Sequence, residues 1–175
     1  LIEHGHLDYG ENKVQEATDK WVKIKIEKPE IKLHLIGKLQ TNKVKFAIRI
    51  FDYIHSVDSS KLAKKIFDEQ IKQNKRVKIF IQVNIGSEEQ KSGVEIHKIG
   101  ELLNFCKKLN LDVIGLMCIP PLNQKSGEYF KKINSLNKSF NLQEISMGMS
   151  SDYLEAIEND ATYLRIGSSI FGKRY

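Results

Sequence analysis

Short apolar runs rich in β-branched and aromatic residues alternate along this chain with longer stretches whose apolar positions recur at helical spacing. The short runs predict strands at residues 7–9, 32–36, 52–55, 77–83, 112–117, 144–146 and 163–166. The longer stretches predict helices at residues 14–26, 43–50, 61–73, 96–109, 127–140 and 152–158. Strand followed by helix throughout predicts an α/β domain with a parallel sheet and crossover helices. Ser59 and Ser60 ahead of the third helix and Gly127 ahead of the fifth are start signals, and Pro120-Pro121 should end sheet pairing after the fifth strand. An open doubly wound sheet and a TIM-type (β/α)8 barrel both accommodate the pattern, although a complete barrel needs one strand more than the pattern supplies.

Composition narrows the class. A chain of 175 residues, 41% hydrophobic and 29% charged, is expected to form one soluble domain spanning residues 1–175. No apolar run approaches the roughly 18 residues of a membrane span, so no membrane partner is expected. The net charge of +6 comes from 28 basic against 22 acidic residues, mostly lysines dispersed along the chain. In the densest stretch, residues 61–78, they fall among Ile66, Phe67 and Ile71 at helical spacing, as on a solvated helix face. A diffuse excess of this kind is no footprint for nucleic acid. Cys106 and Cys118 form neither a CxxC pair nor a disulfide framework, which fits a reducing cytoplasm. The opening LIEHGHLDYG lacks the basic start and apolar core of a signal peptide, and Leu1 leads us to expect that the true beginning lies upstream.

Glycine and unusual polar residues gather just after the strands, where both architectures place their sites. These segments are Gly10-Glu11-Asn12, then Gly37-Lys38-Leu39-Gln40-Thr41-Asn42-Lys43, Asn84-Ile85 leading to Lys91-Ser92-Gly93, Met147-Gly148-Met149-Ser150-Ser151-Asp152, and Gly167-Ser168-Ser169. The last two suit a phosphate, because glycine permits close backbone approach, serine adds a hydroxyl, and a helix start offers free N–H groups. Two ordinary tight turns with helix caps account for them equally well. Arg165, one of four arginines, lies in a predicted strand and needs a partner, either a carboxylate or a ligand ring nitrogen or anion. His34, in an apolar strand, reads on its own as a hydrogen-bonded core histidine. Asn12, Gln40 and Asn42 serve either as loop caps or as ligand contacts. Metal ligation finds no HExxH or HxxEH spacing, and Ser150 lacks the second glycine of a nucleophile elbow.

Six segments in order carry a resemblance. They are Gly10-Glu11-Asn12 with Val14-Gln15-Glu16; His34-Leu35-Ile36-Gly37-x-Leu39-Gln40-x-Asn42-Lys43; Gln82-Val83-Asn84-Ile85 with Lys91-Ser92-Gly93; Gly115-Leu116-Met117-Cys118-Ile119-Pro120; Ser146-Met147-Gly148-Met149-Ser150-x-Asp152; and Arg165-Ile166-Gly167-Ser168-Ser169-Ile170-Phe171-Gly172. Together they resemble the pyridoxal phosphate homeostasis protein family, also called the YggS or PROSC family, over nearly the whole chain. The resemblance implies a TIM-type barrel of the alanine racemase N-terminal domain type, here with seven strands because its first β/α unit is missing. It implies pyridoxal 5′-phosphate (PLP) at the carboxyl ends of the strands, with Ser150 and Gly167-Ser168 on the phosphate and Arg165 facing the pyridine nitrogen. Asn12, His34 and Met147 would line the pocket.

The family's Schiff-base lysine lies in a first-strand segment similar to V-S-K that precedes anything present here, so no residue, Lys38 and Lys43 included, is assigned that role. No catalytic residue and no metal is expected. The resemblance implies a monomer that holds and delivers PLP in vitamin B6 homeostasis without catalytic turnover, with PLP-dependent apoenzymes as recipients. The alternative is a PLP-dependent amino-acid racemase of the same fold type, which needs a second, β-rich domain and a tyrosine from a partner subunit.

Overall fold

Parallel neighbours cannot be joined by a tight turn, so each strand here requires a crossover, and the helical stretches supply it. The computed structural model describes residues 1–88, 92–122 and 124–172; Lys91 of the Lys91-Ser92-Gly93 segment lies outside them. The elements run β1 (Asp8–Glu11), α1 (Val14–Glu27), β2 (Lys32–Leu35), α2 (Val44–Ile50), β3 (Tyr53–Val57), α3 (Ser60–Gln73), β4 (Lys78–Val83), α4 (Ile99–Lys108), β5 (Asp112–Cys118), α5 (Ser126–Ser139), β6 (Glu144–Met149), α6 (Tyr153–Glu158), β7 (Tyr163–Arg165) and α7 (Ser168–Phe171). The strands pair in chain order, all parallel, from β1 to β7. The expected strands and helices are therefore present, with β1 reaching further than residues 7–9 and the helices at 43 and 96 preceded by single 3-10 turns. Ser59 caps α3 by accepting from Leu62 N at 3.4 Å. Only α7, four residues long, is too short to leave a periodic signal.

The sheet curls into a nearly closed barrel. A flat sheet would hold β3 and β7, four strand spacings apart, about 19 Å from each other. Instead the Tyr163 ring on β7 lies 5.9 Å from both Tyr53 and His55 on β3. Register shifts at Ile54/Val57, Ile79/Phe80 and Ser146/Met149 add local twist to the curl. The open-sheet alternative is thereby excluded.

Strand period then sorts the side chains into two layers. Leu33, Leu35, Ile54, Ile79, Ile81, Leu116 and Ile145 face outward and join Ala17, Trp21, Ala47, Ile66, Leu103 and Phe130 of the helices in one core, each such apolar side chain contributing roughly 1.5–3 kcal/mol on burial. Tyr53, Phe80 and Met117 form a second, smaller cluster built from strands alone, inside the barrel.

Buried amide side chains tether helices to strands. Asn137 on α5 is 2% exposed; its Oδ1 accepts from Leu116 N at 3.0 Å and its Nδ2 donates to Leu142 O at 2.9 Å. Gln70 on α3 does the same for β4, accepting from Val77 N at 2.7 Å. Truncating Asn137 leaves one buried donor and one buried acceptor unpaired. Asn137→Ala is expected to destabilise the fold by about 2–4 kcal/mol in urea unfolding, and an unchanged midpoint would show that the tether carries no weight.

Candidate functional site

The two glycine–serine turns meet at the carboxyl ends of β6 and β7. Gly148 has φ +87°, and a Cβ there would fall 2.5 Å from Ala156 Cβ, so this position needs glycine for α6 to pack so close. The turn is closed by Asp152, whose Oδ1 accepts from Met149 N at 2.7 Å and whose Oδ2 accepts from Ser126 Oγ at 3.0 Å. This presents Ser150 to the next turn, where its Oγ accepts from Gly167 N and Ser169 N, both at 3.3 Å. Two backbone N–H groups at the start of α7 thus converge on one oxygen, with Ser168 exposed between them. The same convergent geometry suits an anionic oxygen.

Arg165, two residues earlier, ends β7 and points into the barrel. Its Nη1 donates to Ser146 Oγ at 2.8 Å and its Nη2 to Cys118 O at 2.8 Å. Both acceptors are neutral, and among the described residues no carboxylate forms an ion pair with it. Burial pulls the guanidinium pKa down, opposed by the Cys118 thiol and by Asp152 at longer range. A guanidinium nevertheless keeps its charge in a protein. The carboxylate partner weighed above is not found.

Ser146 leads inward. Its Oγ lies 2.8 Å from His55 Nδ1, His55 Nε2 lies 3.1 Å from His34 Nδ1, and His34 Nε2 lies 3.0 Å from Asp8 Oδ1. His34 stacks on Tyr53 with centroids 4.2 Å apart, and His55 stacks on Phe80 at 4.3 Å. Burial holds the pKa of both histidines below the ordinary value, against the pull of Asp8 on His34.

Ser150, Gly167, Ser168 and Arg165 are brought together at one end of the barrel. His34 is linked to Arg165 through His55 and Ser146, inside the barrel. Asn12 sits exposed on the loop after β1, and its carbonyl oxygen fills the space beside Gly37, where a Cβ would fall 2.2 Å away. Met147 does not join the cluster through its side chain, which is fully buried in the helix-facing core because strand period turns it outward from Ser146. Sequence reasoning gave no role to His55 or Ser146; the available signal was a polar side chain at alternate positions of strands otherwise fit for a core. Asn84 is absorbed by its own loop, donating to Glu88 O at 2.8 Å and accepting from Glu88 N at 3.2 Å.

Two recesses lie elsewhere. One of about 390 Å³ runs between Asn42 and Lys61, Lys64 and Lys65 of α3, and one of about 290 Å³ opens at the opposite barrel end beside Lys78, Glu144 and Tyr163. Neither is lined by Arg165, Ser146 or Ser150. No group of three or more metal-ligating side chains occurs among the described residues, and no helix of theirs is long and apolar enough to cross a membrane.

Comparison with known proteins agrees with this geometry. The family model for the alanine racemase N-terminal domain matches residues 1–175. The pyridoxal phosphate homeostasis protein of Aquifex aeolicus is 41% identical over 176 residues, covering 95% of this chain and 76% of that protein. Its counterpart in Vibrio alginolyticus is 36% identical, covering 97% and 78%. Among solved structures, PipY of Synechococcus elongatus, determined without PLP and with PLP bound, superposes with TM-scores of 0.90 and 0.89 at 32% identity, covering 98% of this chain and 84% of its own. Alanine racemase of Clostridium difficile has a TM-score of 0.72 at 13% identity, over 99% of this chain and 47% of its own, which is a likeness of fold alone. The chain belongs to the alanine racemase N-terminal domain family and, within it, to the pyridoxal phosphate homeostasis proteins.

Proposed function

We propose that this chain binds PLP at the carboxyl ends of β6 and β7 and serves PLP homeostasis, holding and delivering the cofactor without turnover. The observation that carries the reading is the juxtaposition of an uncompensated, half-buried Arg165 with a turn whose N–H groups already converge on an oxygen. A pyridine nitrogen accepts from the first, and a phosphate monoester accepts from the second. Ser150, Gly167 and Ser168 would hold the phosphate and Arg165 the ring nitrogen, with Asn12 at the rim. His34 would act from behind Arg165, and Met147 by anchoring β6 beneath the turn.

PLP acts elsewhere as an electron sink, a role that depends on a protonated ring nitrogen. A fixed cation at that nitrogen disfavours its protonation, so Arg165 suits retention of the cofactor better than carbanion chemistry. Burial pushes the Cys118 thiol up to about 12 and the Cys106 thiol up to about 11, which leaves neither as a nucleophile. The relatives bear the name of homeostasis proteins, and the likeness to the racemase extends to fold alone. We place the protein in the cytoplasm, acting as a monomer with PLP-dependent apoenzymes as recipients.

Three measurements test this reading. PLP titrated onto the chain should displace a bound phosphate ester far better than pyridoxal or inorganic phosphate does; equal competition by all phosphate esters would leave a general anion site in its place. Ser150→Ala should weaken PLP about ten- to a hundredfold, the loss of one hydrogen-bonding group to an anion. Preceded by a segment that carries the family's Schiff-base lysine, the PLP-loaded chain incubated with L-alanine should leave its enantiomeric purity unchanged, and sustained racemisation would establish the enzyme alternative.

A further inference from the structure

The hydrogen-bonded chain through the barrel has only one consistent direction. Arg165 can only donate, so Ser146 Oγ accepts from it. At the other end Asp8, half exposed, is a carboxylate and can only accept, so His34 carries its proton on Nε2. A neutral His34 then offers a lone pair at Nδ1, which requires the proton of His55 on Nε2. The His55 Nδ1 that remains is an acceptor, and the Ser146 hydroxyl donates to it. Each of the four groups after Arg165 receives from its neighbour, and all but Asp8 pass a proton donor onward. The reverse direction would need Asp8 to donate, which a carboxylate cannot do.

We propose that His55 and His34 are positioning residues for Arg165: a one-way relay anchored on Asp8 fixes the Ser146 hydroxyl as Arg165's acceptor, and PLP is gripped while both rings are neutral. This rests on the PLP reading above. A proton on His55 turns Nδ1 into a donor toward Ser146. A proton on His34 sets N–H against N–H across 3.1 Å unless His55 changes tautomer, which again turns a donor on Ser146. Either way the Ser146 hydroxyl, which is fully buried, loses its acceptor. It also adds a second positive charge beside Arg165.

The surroundings hold the rings neutral. Asp8 from β1 and Asp52 at the start of β3 favour a proton on His34, while Lys32 from β2 opposes it. Arg165 from β7 and His34 itself oppose a proton on His55. Tyr53 and Phe80 cover the ring faces, and burial raises the pKa of Tyr163, keeping that hydroxyl uncharged. Burial outweighs the two carboxylates for His34 and has no carboxylate to contend with at His55.

Imidazole ¹⁵N NMR on the full chain without PLP reads the relay independently of cofactor binding. Both rings should be Nε2–H tautomers at neutral pH and should resist titration below the ordinary value of about 6.5. Either ring found as Nδ1–H or charged at neutral pH overturns the proposal. Asp8→Lys replaces the terminal acceptor with a donor, so both tautomers should reverse and PLP should weaken about tenfold, with inorganic phosphate unaffected. Asp8→Asn keeps an acceptor and should restore both. Should Asp8→Lys fail to fold, Ser146→Ala is the second variant, expected to weaken PLP about three- to tenfold, with Ser146→Thr as rescue. Wild-type PLP affinity retained in the reversed or broken relay would show the histidines to be structural only. A chain with the expected tautomers that binds no PLP would overturn the functional reading and leave the relay's geometry standing.

Discussion

The curl of the parallel sheet is the constraint on which the rest of this molecule depends. Helices cover the outer face of each strand, but no helix reaches the inner face, so the inward residues must satisfy one another across the barrel. With β3 and β7 brought together, Tyr53, Phe80, Met117 and Tyr163 fill part of that space with apolar surface. The remainder is occupied by Asp8, His34, His55, Ser146 and Arg165, each supplied by a different strand. Burying such groups is tolerable only if every one is paired, and a single chain of hydrogen bonds achieves this. A flat sheet would leave Arg165 and His55 too far apart to share Ser146.

Charge within that chain is unbalanced at the end nearest the mouth. Asp8 accepts from the neutral histidine pair at the far end, and Arg165 has only a hydroxyl and a carbonyl as partners. An interior cation without a counter-ion attracts electron density, and the nearest open space is at the mouth, beside the Ser150 turn. The phosphate-suited turn and the ring-suited cation follow in sequence because β7 is short: Arg165 is its last residue, and Gly167 opens the next helix.

Much of this was legible in the chain itself. Alternating periods located the seven strands and the crossovers, because short β-branched and aromatic runs bounded by turn residues alternate with longer stretches of helical period. Gly148 and Gly167 with their serines marked the turns, because only a few residue types suit close backbone approach. What periodicity could not provide was the curl, which depends on contacts between strands far apart in sequence, and with it the pairing of His55 with Ser146, 91 residues away. Met147 shows the other limit. It belongs to a site segment, but being one position from Ser146 it faces the helices, and motif membership says nothing about parity.

The shape of the mouth bears on holding against turning over. A catalytic pocket gains from exclusion of water, which strengthens its electrostatics at the moment charge develops. Here Ser168 and Ser169 are exposed. An open site pays for its accessibility with affinity, and the fixed donors behind it offset part of that loss by being ordered before the ligand arrives. Arg165 is held at both terminal nitrogens, and Ser146 is held from both sides, so little freedom remains to be lost on binding. On the proposed reading, preorganised donors beside exposed serines allow selective capture of the cofactor and leave a route for its release.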